Sequence, residues 1–183
     1  IAHSHNTESE GNLAIKLFKW YSGMLVQTFA SHYTACSKNA AIWLFGKSYT
    51  AATIIKNGVE SEHFLFSKDR RRLVRHKLNL MNDEFVVGHV GRFHIQKNHA
   101  FLIEIFAETL ESYPKAKLVL AGDGPLRKRI ERLVFEKGLR DHVLFLGIRE
   151  DIPDLLQAFD LMLFPSFHEG LPVTIIEAQA AGL

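Results

Sequence analysis

The stretch Phe85-Val86-Val87-Gly88-His89-Val90-Gly91-Arg92-Phe93-His94-Ile95-Gln96-Lys97-Asn98 decides the fold. It opens as an apolar run rich in β-branched residues and turns at Gly91. It then enters a helical pattern over 98–112, where Leu102, Ile105, Phe106 and Leu110 form one apolar stripe. The same grammar repeats three times. Apolar runs at 117–121, 142–146 and 161–164 are each followed by a helical pattern, at 126–137, 151–159 and 172–181. Ile130, Leu133 and Val134 mark the first of these, with Lys and Arg opposite, and Pro172 opens the last. Near-continuous apolar runs this short suit strands buried on both faces, as in a parallel sheet. Strand alternating with helix four times predicts an α/β fold: a Rossmann-like, doubly wound parallel sheet with helices on both faces. Ligands of such sheets sit beyond the carboxyl ends of the strands, so chemistry is expected in the four loops after them.

Composition bounds the rest. The 183 residues are 47% apolar and 23% charged, which is ordinary for a globular protein and argues against disorder, collagen or coiled coil. A net charge of +2 is too small to argue for nucleic acid. Lys68, Arg70, Arg71, Arg72, Arg75 and Lys77 crowd one segment, but no aromatic residue interleaves with them, so a solvated linker helix is expected there. With Cys36 as the only cysteine, no internal disulfide can form, and a reducing compartment is the default. No apolar run nears the roughly 18–20 residues that cross a bilayer, and the start does not read as a signal peptide. Ile1 stands where a Met would, and Leu183 comes after the helix-ending Ala180-Ala181-Gly182, so the sequence reads as an internal fragment.

The first third is less regular. Leu13, Leu17, Trp20, Tyr21, Met24 and Leu25 share a helical stripe with Lys16 and Lys19 off it. A core-facing amphipathic helix is expected, with a membrane-surface helix as the alternative. Residues 33–37 and 53–55 read as short strands and Asn57-Gly58 as a turn.

Each of the four loops contains something unusual. In the first, Arg92 and Lys97 straddle a helix start, where the helix dipole disfavours positive charge. A diphosphate would make sense of both. The second, Ala121-Gly122-Asp123-Gly124-Pro125, reads as a tight turn, because neither Gly-x-Gly-x-x-Gly nor Gly-Lys-Ser/Thr is present. The third, Gly147-Ile148-Arg149-Glu150-Asp151, brings backbone and an arginine to the same edge. The fourth, Phe164-Pro165-Ser166-Phe167-His168-Glu169-Gly170-Leu171-Pro172, is the strongest and leads into a helix carrying Glu177. Gly170 and the helix start offer backbone N–H groups to a phosphate. Glu177 lies among Ile175, Ile176 and Ala178, where an unpaired carboxylate is costly and a sugar hydroxyl would serve as partner. Each glutamate alone reads as a surface carboxylate. Together the loops converge on one place.

The combination Gly91-Arg92…Lys97, Ala121-Gly122-Asp123-Gly124-Pro125 and Glu169-Gly170-Leu171-Pro172…Glu177, with its two glutamates eight apart, resembles the retaining glycosyltransferases of family 4, which have the GT-B fold. The resemblance runs from about residue 38 to 183. Cys36-Ser37, Trp43-Leu44-Phe45-Gly46 and Asn57-Gly58-Val59 are similar to bacterial capsular and exopolysaccharide enzymes. It implies the tail of an acceptor-side N-terminal domain over 1–56, an interdomain linker and entry segment over 57–84, and a truncated nucleotide-sugar-binding domain over 85–183. It implies that Arg92 and Lys97 hold the diphosphate and offset charge on the leaving group, which requires no metal and no cofactor. Glu177 would bind the ribose hydroxyls, Glu169 would contact the donor sugar, and Gly170 and Leu171 would add N–H groups. Ile148 would meet the base through its main chain, and His5 matches less securely a histidine aimed into the cleft. The His3 and His5 pair makes a poor metal site.

The activity implied by the resemblance is transfer of a sugar from a nucleotide diphosphate-sugar, UDP by family habit, to a polysaccharide or lipid-linked acceptor with retention. The resemblance places the enzyme in the cytoplasm, leaves peripheral association with the inner face of the plasma membrane open, and expects the fragment alone to be inactive. Two other readings stand beside it. One is another GT-B enzyme such as a sugar-nucleotide epimerase, which would turn over donor without acceptor. The other is a non-catalytic sugar-nucleotide-binding or membrane-associated module, which would bind without turnover.

Overall fold

The computed structural model describes residues 1–5 and 13–183, with the side chain of Lys16 outside the described residues. The chain folds as two units, residues 1–58 with 168–173, and residues 59–167 with 174–183.

In the first unit β1 (Ala2–Ser4), β2 (Tyr33–Ala35) and β3 (Thr53–Ile54) pair in parallel in that order. Helix α1 (Leu13–Phe29) joins the first two strands and α2 (Lys38–Phe45) the last two. Ser37 starts α2 by accepting a hydrogen bond from the Ala40 amide, and Gly46 ends it at φ 52°. Ala35, Cys36, Ala40, Ala41 and Phe45 form the small core, and the Phe45 ring lies 4.7 Å from that of Tyr33. Among the described residues, that core takes Val26 alone from α1. The stripe expected to face a core is therefore in solvent: Leu13 is 74% and Trp20 65% exposed. The helix itself matches its spacing. Burial fails because the described residues supply no layer to cover the stripe. Asn57-Gly58 makes no turn either; the Asn57 amide donates instead to the Leu171 carbonyl at 2.7 Å.

The second unit carries α3 (Lys68–Lys77), β4 (Val86–Val90), α4 (His99–Ser112), β5 (Lys117–Ala121), α5 (Arg127–Glu136), β6 (Val143–Gly147), α6 (Ile152–Gln157), β7 (Leu161–Met162) and α7 (Val173–Ala180). Its strands pair in parallel in the order β6-β5-β4-β7. Alternation along the strands feeds two cores. Val86, Val119 and Ala121 point to one face, with Val74, Leu155, Leu156 and Ala178 of α3, α6 and α7. Val87, Leu118 and Leu120 point to the other, with Leu102, Phe106, Ile130 and Val134 of α4 and α5. The expected parallel sheet with helices on both faces is what the chain forms. β7 is shorter than its apolar run, although the Leu163 amide still donates to the Gly88 carbonyl at 3.0 Å.

The segment expected to be a solvated linker is α3, and it is packed into the unit. Arg75 is 2% exposed and donates to the carbonyls of Ala158, Met81 and Glu84 and to the Asp160 carboxylate. Arg71 meets the other oxygen of Asp160 at 2.6 Å. Charge counting along the segment misses this, because the acid that answers these arginines lies far along the chain. No helix among the described residues is long and apolar enough to cross a membrane.

Candidate functional site

The strand order places a crevice. From β4 the chain moves outward through β5 to β6, then returns to the other side of β4 as β7. The direction of winding reverses between β4 and β7, and ligands of open α/β sheets bind beyond the carboxyl ends at such a reversal. The loops there are tied by backbone hydrogen bonds: Gly91 N–H to the Ala121 carbonyl at 2.9 Å, Phe93 N–H to Asp123 at 3.0 Å, Gly122 N–H to Gly147 at 2.7 Å, and Phe167 N–H to Gln96 at 2.9 Å. Gly122 makes the fit. Its φ is 132°, and a Cβ on it would stand 2.1 Å from the Gly91 carbonyl oxygen, so only glycine lets the β5 loop press against the β4 loop.

Both expected diphosphate ligands lie on the β4 loop. They stand at its two ends, Arg92 exposed and Lys97 half-buried. The Lys97 arm passes Gly91, its Cδ and Cε both 3.5 Å from where a Cβ would stand, and its ammonium lies 4.5 Å from the centre of the Phe164 ring. Asn98 comes next in the left-handed region at φ 51°, and α4 begins without a side-chain cap. Positive charge and an uncapped helix start thus share one loop, which favours an anion there.

Beneath this loop lies a group of rings that the sequence reading does not single out. His89, fully buried on β4, is 2.8 Å through Nδ1 from the Leu163 carbonyl; Nδ1 must then carry the proton. Its ring stands 5.6 Å from Phe164 and meets His99 edge-on at 4.8 Å, and His99 stacks on Phe93 at 4.2 Å. Burial, then electrostatic interaction with His89 and with the Lys97 ammonium, pushes the His99 pKa down to about 3. Both of its ring nitrogens are buried without a hydrogen-bond partner among the described residues. The signal for this cluster is a histidine inside an otherwise apolar strand.

Elsewhere in this unit, Ile148 comes after β6 and is 80% exposed. The arginine expected at this edge, Arg149, is committed to both oxygens of Asp151. Glu177 sits on α7, half-buried, with its pKa raised by burial and no side-chain hydrogen bond among the described residues.

The first unit gathers the remaining candidates. His5 comes after β1, and its carbonyl oxygen lies 2.0 Å from where a Cβ on Gly170 would stand. The Cys36 sulfur is 3.1 Å from the same point. Glycine is thus required at 170 by close approach, and Glu169 and Leu171 are carried on either side of it. Leu171 packs against the small core, its carbonyl held by Asn57. The His3 ring is 4.4 Å from that of His5, and its Nδ1 is 2.7 Å from the Thr34 hydroxyl.

Known proteins share this architecture. Residues 70–183 match the family described as Glycosyl transferases group 1. EpsF of Bacillus subtilis, by name a putative glycosyltransferase, is 36% identical over 193 residues, covering 100% of this chain and 49% of its own length. The UDP-Gal:alpha-D-GlcNAc-diphosphoundecaprenol alpha-1,3-galactosyltransferase of Escherichia coli is 35% identical over 134 residues, 72% of this chain and 35% of that protein. Among solved structures, Anabaena Alr3699/HepE in complex with UDP and glucose superposes with a TM-score of 0.87 at 27% identity, covering 98% of this chain and 50% of that one. The chain thus spans about half the length, or less, of these relatives. The match extends through the segments that carry Arg92, Lys97, Glu169 and Glu177, and the chain belongs to the Glycosyl transferases group 1 family, with the GT-B architecture its motifs resemble.

Proposed function

We propose that the protein carrying this chain transfers a sugar, with retention of anomeric configuration, from a UDP-sugar to a polysaccharide or lipid-linked acceptor, and that this chain supplies the donor-binding loops. The observation that carries the reading is the β4 loop, where Arg92, Lys97 and the uncapped start of α4 meet at the reversal point of the sheet. Departure of a nucleoside diphosphate builds negative charge on its leaving oxygen. Two cations on this loop stabilise that charge as it develops, and such a role requires neither a metal nor a cofactor. Glu177 fits the ribose hydroxyls, because two hydroxyl donors would answer a carboxylate whose ionised form burial disfavours. Glu169 is assigned to the donor sugar, Gly170 and Leu171 to backbone N–H contacts, Ile148 to the base, and His5 to the reacting end. The name of the galactosyltransferase relative, with its UDP-sugar and diphosphoundecaprenol, supports the donor and acceptor classes.

Calorimetric titration with UDP, ADP and GDP tests this, beside an Arg92→Ala, Lys97→Ala double variant. Micromolar binding of UDP that the double variant loses is the expected result. A double variant that binds equally well overturns the placement of the diphosphate.

A further inference from the structure

We propose that Phe164 is a positioning residue for Lys97, its ring face holding the ammonium group in place at the carboxyl end of β4 before the donor arrives. The proposal rests on the nucleotide-sugar reading above. Lysine is the cation least suited to a preorganised site, since its four-carbon arm carries a large rotamer entropy and its charge is a point rather than a fork. Lys97 is nonetheless located twice. Its arm runs along Gly91, its Cδ and Cε 3.5 Å from where a Cβ would stand, and its ammonium stands 4.5 Å from the centre of the Phe164 ring.

The ring is itself fixed. Phe164 is half-buried and packs near the His89 ring at 5.6 Å, and His89 is pinned to the carbonyl of Leu163, the residue next to Phe164. The Phe167 amide, held by the Gln96 carbonyl, ties the two loops so that ring and cation keep their register. A ring face suits the task. Its quadrupole attracts a cation while carrying no net negative charge, so it does not repel a diphosphate as a carboxylate in the same place would.

The test is a double-mutant cycle on UDP affinity in the full protein, with Phe164→Leu, Phe164→Tyr and Lys97→Ala. Phe164→Leu keeps an apolar filler and removes the ring face, and it is expected to weaken UDP binding roughly 3- to 10-fold. Phe164→Tyr, which restores the ring, should return to near the parent affinity. In the Lys97→Ala background the effect of Phe164→Leu should vanish, a coupling that a merely structural role for Phe164 would not produce. The ligand-free protein gives a second reading by NMR, where the Lys97 ε-methylene should be shifted upfield by the ring and lose that shift in Phe164→Leu. Unchanged UDP affinity in Phe164→Leu, equal losses in both backgrounds, or an unshifted methylene each overturns the inference and leaves the function reading standing. A parent protein that binds no nucleotide overturns the function reading and this inference together.

Discussion

Acidification should destabilise the second unit through His99. The ring is 2% exposed, stacked on Phe93 and edge-on to His89, and its pKa is about 3 against 6.5 for a free histidine. The folded state therefore refuses a proton that the unfolded state accepts below about pH 6.5. The neutral ring's contribution is complete above that pH and is lost as pH falls toward 3, at up to about 1.4 kcal/mol per pH unit. Between pH 7.5 and 5 this single group should remove about 2 kcal/mol of stability, a large part of a marginal total. The assay is urea unfolding followed by far-UV circular dichroism at a series of pH values, on the parent and on His99→Phe. The phenyl ring keeps the stack on Phe93 and cannot titrate, and its own packing cost is the same at every pH. His89 touches His99 and is coupled to it, so the stability difference between the two proteins isolates this buried pair. That difference should move by about 2 kcal/mol in favour of the variant on going from pH 7.5 to 5. A difference that stays constant across the range would refute the reasoning.

Gly122→Ala should cost at least ~2 kcal/mol of stability and weaken nucleotide binding, because its new methyl meets the Gly91 carbonyl beside Arg92. Gly138→Ala is the control: it has a positive φ with nothing within 4 Å, and should cost about 1 kcal/mol in denaturation while leaving binding unchanged. Arg75→Met should cost about 3 kcal/mol in the same assay, since three carbonyls and an Asp160 oxygen lose their donor. Arg72→Met, which breaks only an exposed pair with Asp69, should leave the transition where it was. Gly170→Ala should displace the loop carrying Glu169 and abolish transfer in the full protein, read as turnover of labelled donor, because the methyl collides with the His5 carbonyl.

The sheet is legible in the sequence because strands buried on both faces leave an unmistakable mark. Val86-Val87 and Leu118-Val119-Leu120 have to be apolar at every position, since consecutive side chains enter different cores. The cations of the β4 loop are legible for the opposite reason, since charge at a helix start opposes the local dipole and calls for an explanation. The rest depends on contacts between distant residues. Arg75 looks like one member of a basic run, and what sets it apart is burial against the carbonyls of Ala158, Met81 and Glu84 and against Asp160, 85 positions away. Gly122 looks like a turn residue, and what requires glycine there is the approach of a carbonyl from another loop. The stripe on α1 is helical as its spacing says but not buried, because periodicity reports a face and says nothing of what covers it.

On the proposed reading, the ring cluster gives a physical reason for buried histidines beneath the β4 loop. The floor under the β4 loop has to be rigid, because a leaving-group cation stabilises charge only if it need not reorganise when that charge appears. Aliphatic side chains fill space but give few directional contacts. His89 spans from β4 to Leu163, just past β7, with a hydrogen bond, and its flat ring supports Phe164, on which the Lys97 ammonium lies. His99 closes the other side, stacked on Phe93, whose amide is bound to Asp123 of the β5 loop. The cost falls on His99, with two unanswered ring nitrogens among the described residues, and it is largest at low pH. On the proposed reading, the loop carrying Arg92 and Lys97 therefore rests on a part of the core that acid destabilises.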